Sequence, residues 1–216
     1  VSGDLRNMIY LLEYSWLGDS GNAAHKSYLF ANAKWVVDGT RYQGLSPKNS
    51  PYGEFVKNAG EAGMFTTWHE TLSNVFIGGC SSICEEVASQ KLGQAYRKAT
   101  GTGTAEDAAD YIESPYSYNS LTDFQNNIHS IENVWYGGVQ GKRSEYSFSN
   151  YFKKYDAATG KRVEDAIANA LKQIKAIKAP FVKNIKDPQC ANAINACKEL
   201  NDALTDASDF IGKNNK

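Results

Sequence analysis

Apolar residues recur every three to four positions through most of this chain, and no segment alternates apolar and polar residues with period two. This periodicity argues against a sheet and calls for amphipathic helices packed on one another. The cleanest stripes come late. Val163, Ile167, Leu171 and Ile174 line one face over 158–178, stopped by Pro180. Ala193, Cys197, Leu200, Leu204, Ala207 and Ile211 line another over 189–212. Earlier helices are expected over 4–17, with Leu5, Met8/Ile9, Leu12 and Trp16 on one face, and over 22–42, with Tyr28, Ala31, Trp35 and Gly39. Pro47, Pro51 and Gly53 mark a loop before a long helix over 63–98, in which Gly78-Gly79 is a site for close crossing or a kink. Shorter helices are expected over 121–136 and 147–156. The fold class is all-α, built of antiparallel up-and-down bundles: 1–100 in a first bundle and 101–216 in a second.

The charge balance, 23 basic against 24 acidic residues, gives no electrostatic case for nucleic acid. No apolar run approaches the ~18 residues of a membrane span. The opening Val1-Ser2-Gly3-Asp4 has no initiator Met and no signal pattern, which reads as a processed chain or a later part of a longer one. The abundance of Tyr, Asn, Ser and Gly suits an exported protein.

Cys80 and Cys84 lie one turn apart on one expected helix, Cys190 and Cys197 two turns apart on another. The second pair is separated by roughly 10 Å along a straight helix, too far to bridge. Disulfides would therefore run between the helices, in either of two pairings. The alternative is that the cysteines are small core residues. C-x2-C zinc knuckles are absent.

The densest polar chemistry lies at 113–128. Small polar and acidic side chains lead directly into a helix there, interleaved with Tyr116, Tyr118 and Phe124. Ser120 suits an N-cap, and Asp123 would oppose the helix dipole in the first turn. Two readings stand: hydroxyls that cap helices and satisfy buried backbone, or the wall of a polar pocket with Glu113 and Asp123 as its charges.

Other constellations are weaker. Trp68-His69-Glu70-Thr71-Leu72-Ser73 begins like a zincin helix, but Ser73 stands where the second imidazole must be. His25 and His129 fall on other helices. Glu85 and Glu86 are adjacent, so they diverge by about 100° on a helix; one is expected in solvent and the other paired with Arg97 or Lys91. Gly101-Thr-Gly-Thr104 lacks the preceding strand of a phosphate loop.

Three segments resemble the imelysin family, also described as insulin-cleaving membrane peptidases. The stretch 113–137 is similar to the family's late Glu-Ser, aromatic-Ser, Asn-Ser, Asp-Phe segment; 79–92 resembles its Glu-Val…Lys-Leu helix. Residues 11–18 resemble the segment around the glutamate of its Gly-x-His-x-x-Glu motif. With Glu13 as that glutamate, Tyr10 takes the histidine position and Met8 the glycine position, so the metal-binding pair is broken. The resemblance implies two helical bundles with a polar site between them. It also implies an exported bacterial envelope protein, in the periplasm or on the outer membrane, often lipid-anchored and linked to iron uptake. Carried over, Glu13 and Glu113, Ser114, Tyr116, Ser117, Asn119, Ser120, Asp123 and Asn127 would share one cleft. That cleft would bind a small ligand or a metal such as iron, with other iron-uptake envelope proteins as partners and no catalytic residues. The alternatives are a metallopeptidase of the same family and a helical scaffold whose polar segment is purely structural.

Overall fold

The computed structural model describes residues 2–33, 51–60, 65–108 and 111–214. The features expected at Trp35, Gly39 and Pro47, and the start of the helix placed at 63, lie outside these residues. The described residues form helices and no strand. They divide into two compact units, Val1–Thr71 and Leu72–Lys216.

In the first unit, α1 (Ser2–Leu17) packs on α2 (Ala23–Asn32) and α3 (Tyr52–Lys57), and the short α4 (Trp68–Thr71) follows. Asn22 starts α2 by accepting the amides of Ala24 and His25 on its side chain, which satisfies donors that a helix start leaves free. Gly53 is required where α3 meets α1: a Cβ there would lie 2.6 Å from the Trp16 carbonyl oxygen. The core of this unit is small, centred on Leu11, Leu29 and Ala33. Leu5, Met8, Ile9, Leu12 and Trp16 do share a face of α1, but that face is exposed. The packed side carries Leu11, Ser15 and Gly18 instead.

The second unit begins with helical turns from Leu72 to Thr100. Two π-helical stretches, Leu72–Ile77 and Glu86–Leu92, are interleaved with α5 (Gly78–Glu85) and α6 (Gly93–Thr100). Gly79 faces open space, so the glycine pair makes no close crossing through it; the irregularity of this run is its π turns. Then come α7 (Ser120–Trp135), α8 (Phe148–Tyr155), α9 (Ala157–Lys175) and α10 (Gln189–Lys213). The sequence places 72–100 with the first bundle. In the structure, α5 and the π turns pack on α10 and share one core with the later helices.

That core is the stripes of α9 and α10 set against Phe124, Ile128, Ile131 and Trp135 of α7 and Phe152 of α8. Each large apolar side chain buried there contributes about 1.5–3 kcal/mol. Trp135 stacks with both Phe148 and Phe152, with centroids 6.0 and 5.2 Å away. Gly160 lets α8 and α9 meet, because a Cβ would stand 2.7 Å from Phe152 Cβ. The four cysteines are free thiols in this core. Inter-helix bridges are therefore absent among them, and the core reading holds. Burial pushes the thiols of Cys80, Cys190 and Cys197 up to about 12.

Candidate functional site

Eight of the nine residues singled out in the sequence belong to the second unit, at the turn entering α7. Ser114 and Tyr118 both hold left-handed backbone, with φ of +53° and +60°, unusual for residues with side chains. The turn closes through the Tyr118 amide donating to the Ser114 carbonyl at 3.1 Å. The Ser117 hydroxyl donates to the same carbonyl at 3.4 Å. Ser114 Oγ donates to Asp123 Oδ2 at 2.5 Å, tying the turn to the first turn of α7. Ser120 is 1 % exposed and donates to the Glu113 carbonyl at 2.6 Å. Ser120 is therefore not the cap expected of it. It is the first helical residue, and Asn119 before it makes no side-chain capping bond. Asn127 Nδ2 donates to the Asp123 carbonyl at 3.0 Å.

The carboxylate of Glu113 is neutralised by a residue the motif search did not single out for it. Lys91, whose side chain is only 11 % exposed, places Nζ 3.0 Å from Glu113 Oε2 and 3.7 Å from Glu86 Oε1. The approach to Glu113 lies off the hydrogen-bonding direction, so this is an ion pair without a formal hydrogen bond. Glu86 and Lys91 are five residues apart. Such residues diverge on an α-helix but approach in a π turn, whose bonds span i to i+5. Of the pairings left open for Glu85 and Glu86, the one present is Glu86 with Lys91, which a signal for the π turn would have singled out.

The inner side of the turn is committed to these bonds, while its outer side is open. Tyr116 is 96 % exposed and Tyr118 52 %. Lys183 Nζ lies 5.1 Å from the centre of the Tyr118 ring, a cation–π distance. Lys183 ends the short 3₁₀ turn begun by Phe181, whose ring packs edge-on against Phe124 of α7 at 5.5 Å.

Glu13, the ninth residue, belongs to the first unit and has its own network. Its Oε1 accepts the Asn22 amide at 2.8 Å and its Oε2 pairs with His25 Nδ1 at 2.6 Å. The His25 bond first, and the Asn22 amide second, hold this carboxyl below the usual glutamate range. Tyr10 stacks on the His25 ring, centroids 4.1 Å apart and planes within 11°. The phenol at the motif's histidine position therefore covers an imidazole from the next helix. One carboxylate and one imidazole bound to each other do not make a metal donor set, which needs three or more convergent ligands. Among the described residues no group of three His, Cys, Asp or Glu could hold a metal ion. The described residues thus do not fit the metal that the motif implies. Glu70 beside His69 is likewise engaged locally, accepting the Thr66 amide and hydroxyl at 2.8 Å each. His129 pairs with Glu132 at 2.7 Å.

The imelysin family model (Peptidase_M75) matches residues 30–207. The match contains the polar turn and starts downstream of Glu13. No curated protein matches the chain. Two solved structures are similar. One, described as an imelysin peptidase from Bacteroides ovatus, has a TM-score of 0.71 and 24% identity over 97% of this chain and 55% of its own. The other, designated an iron-regulated protein A precursor from Parabacteroides distasonis ATCC 8503, has a TM-score of 0.67 and 22% identity over 93% of this chain and 62% of its own. At such identities the likeness carries the fold, and the chain spans little more than half the length of these relatives. With the family model covering most of the sequence, the chain belongs to the imelysin family.

Proposed function

We propose that this chain is a non-catalytic imelysin that works by binding, with the turn at 113–119 and the start of α7 as its contact surface. The observation that carries the reading is the state of Glu13: both oxygens are engaged and Tyr10 lies flat on His25. A metallopeptidase needs a metal held by imidazoles or carboxylates, with a coordinated water as nucleophile, and the donors here are bound to each other. The turn supports the binding half of the reading, because its interior bonds hold Tyr116 and Tyr118 outward. The iron-regulated relative supports a setting in iron acquisition. The family resemblance supports export to a bacterial envelope, and no described helix is long and apolar enough to cross a membrane.

The metallopeptidase alternative draws on the Bacteroides ovatus relative. A purely structural role for the turn draws on the internal use of Ser114, Ser120 and Asn127. Incubating the protein with unfolded casein, with added zinc or ferrous iron and with or without chelator, separates the first. The binding reading expects no cleavage under any condition, whereas cleavage abolished by chelator would install the peptidase. Tyr116→Ala separates the second: a structural turn loses nothing when a fully exposed ring is removed, while a contact surface loses binding.

A further inference from the structure

Between Asp165 and Asp187 the chain has no acidic residue and no arginine, and its only charges are five lysines, Lys172, Lys175, Lys178, Lys183 and Lys186. All five are exposed, and none forms an ion pair among the described residues. The bonds of the α9–α10 connection gather them at one end of the second unit. Asp187 Oδ2 accepts the Lys178 amide at 2.8 Å and its Oδ1 the Gln189 amide at 2.9 Å, which returns Lys186 to the side of Lys178. Gln189 Nε2 donates to Gln173 Oε1 at 2.6 Å, tying the start of α10 to the last turn of α9. Ile174, Ile177 and Phe181 turn into the core and hold the connection down. We propose that this lysine cap docks on the surface of a membrane rich in anionic phospholipid, independently of the reading of the 113–119 turn.

Three observations select that surface. The first is the charge balance. Beside the cap stand Asp187 and, on the turn that Lys183 reaches through the Tyr118 ring, Glu113 and Asp123. With Glu113 matched by Lys91, the five lysines outnumber the remaining carboxylates. The second is the kind of cation. Arginine forks match single phosphates and protein carboxylates, and protein interfaces are enriched in arginine and depleted of lysine. Ammonium groups on flexible stems suit a field of mobile headgroups, and clusters of this size are what an anionic leaflet attracts. The third is what lies between the lysines. Ala176 and Ala179 are exposed, Pro180, Val182 and Ile185 partly so, and Asn184 is the one uncharged polar side chain from 174 to 186. Apolar groups among ammonium groups add contact with the headgroup layer to the electrostatic attraction.

Co-sedimentation of the whole chain with vesicles of phosphatidylglycerol and phosphatidylcholine, and with phosphatidylcholine alone, tests this. Binding is expected to the anionic vesicles only, and should fall as salt is raised from about 0.05 to about 0.5 M because screening shortens the reach of the charges. Lys178→Gln, Lys183→Gln and Lys186→Gln together should weaken binding on the order of 100-fold, about fivefold per lysine, with the thermal midpoint unchanged. Lys178→Arg, Lys183→Arg and Lys186→Arg together should keep it. Lys142→Gln, Lys153→Gln and Lys154→Gln together remove the same charge elsewhere on the second unit and should bind like the wild type. Equal loss in that control, undiminished binding in the glutamine cap variant, or no binding to anionic vesicles overturns the proposal. Capture by polyglutamate without vesicle binding also overturns it, and would make the cap a site for an acidic protein.

Discussion

Ser120 and Glu13 have the residue types of a functional site and the bonding of structural ones. Ser120 gives its hydroxyl to the Glu113 carbonyl from a position 1 % exposed. Ser120→Ala should leave that carbonyl without its partner and destabilise the second unit by about 1–3 kcal/mol, read from urea unfolding. Glu13 joins α1 to the start of α2, and its folded carboxyl is held below the ordinary 4.5. Its contribution is therefore present above that value and is lost as pH falls through the lowered folded value. The Tyr10–His25 stack should accordingly weaken only under acid, which near-ultraviolet circular dichroism can follow. The buried cysteines give a further test. With thiols pushed up to about 12, they should resist iodoacetamide at neutral pH until denaturant opens the core, and intact mass should not change with reductant.

At the scale of elements, the sequence is most legible where packing is most regular. The stripes of α9 and α10 appear in the predicted register because each helix buries one face along its length, so the 3–4 spacing has a single meaning. The π turns at Leu72–Ile77 and Glu86–Leu92 escape that reading. A wider turn takes an extra residue without changing composition, and it brings Lys91 to Glu86 and Glu113. The exposed apolar face of α1 marks a different limit of periodicity. Periodicity locates an apolar face but does not say whether another element covers it, and Leu5, Ile9 and Leu12 are more than half exposed. Two predictions belong here. Gly160→Ala should cost about 1–3 kcal/mol by overpacking α8 against α9, measured by thermal unfolding. The loop after α6 is stapled by Asp107, which accepts from Arg97 and from the Thr104 amide. Arg97 first, and Thr104 second, lower its carboxyl from 3.8 to about 2. The staple thus contributes fully above the ordinary aspartate range and is lost as pH falls toward about 2. Hydrogen exchange at Thr104 should stay slow relative to an open loop at pH 5 and lose that protection near pH 2.

For the molecule as a whole, the all-α class and the imelysin relationship follow from helical spacing and from the 113–137 segment, and the family model agrees with them. The chemistry of the site was less legible, because sequence lists polar groups without saying which ones satisfy each other. Ser114 with Asp123, Glu113 with Lys91, and Glu13 with His25 are pairs that only coordinates reveal. The proposed binding role rests on these pairings, Glu13 with His25 above all. Equilibrium dialysis of the whole chain against zinc and ferrous iron, followed by elemental analysis, examines that role. A binding protein whose Glu13 is committed to His25 and Asn22 should retain no stoichiometric metal, and Glu13→Ala should change nothing in metal content. One equivalent of metal in the wild type, lost in Glu13→Ala, would contradict it.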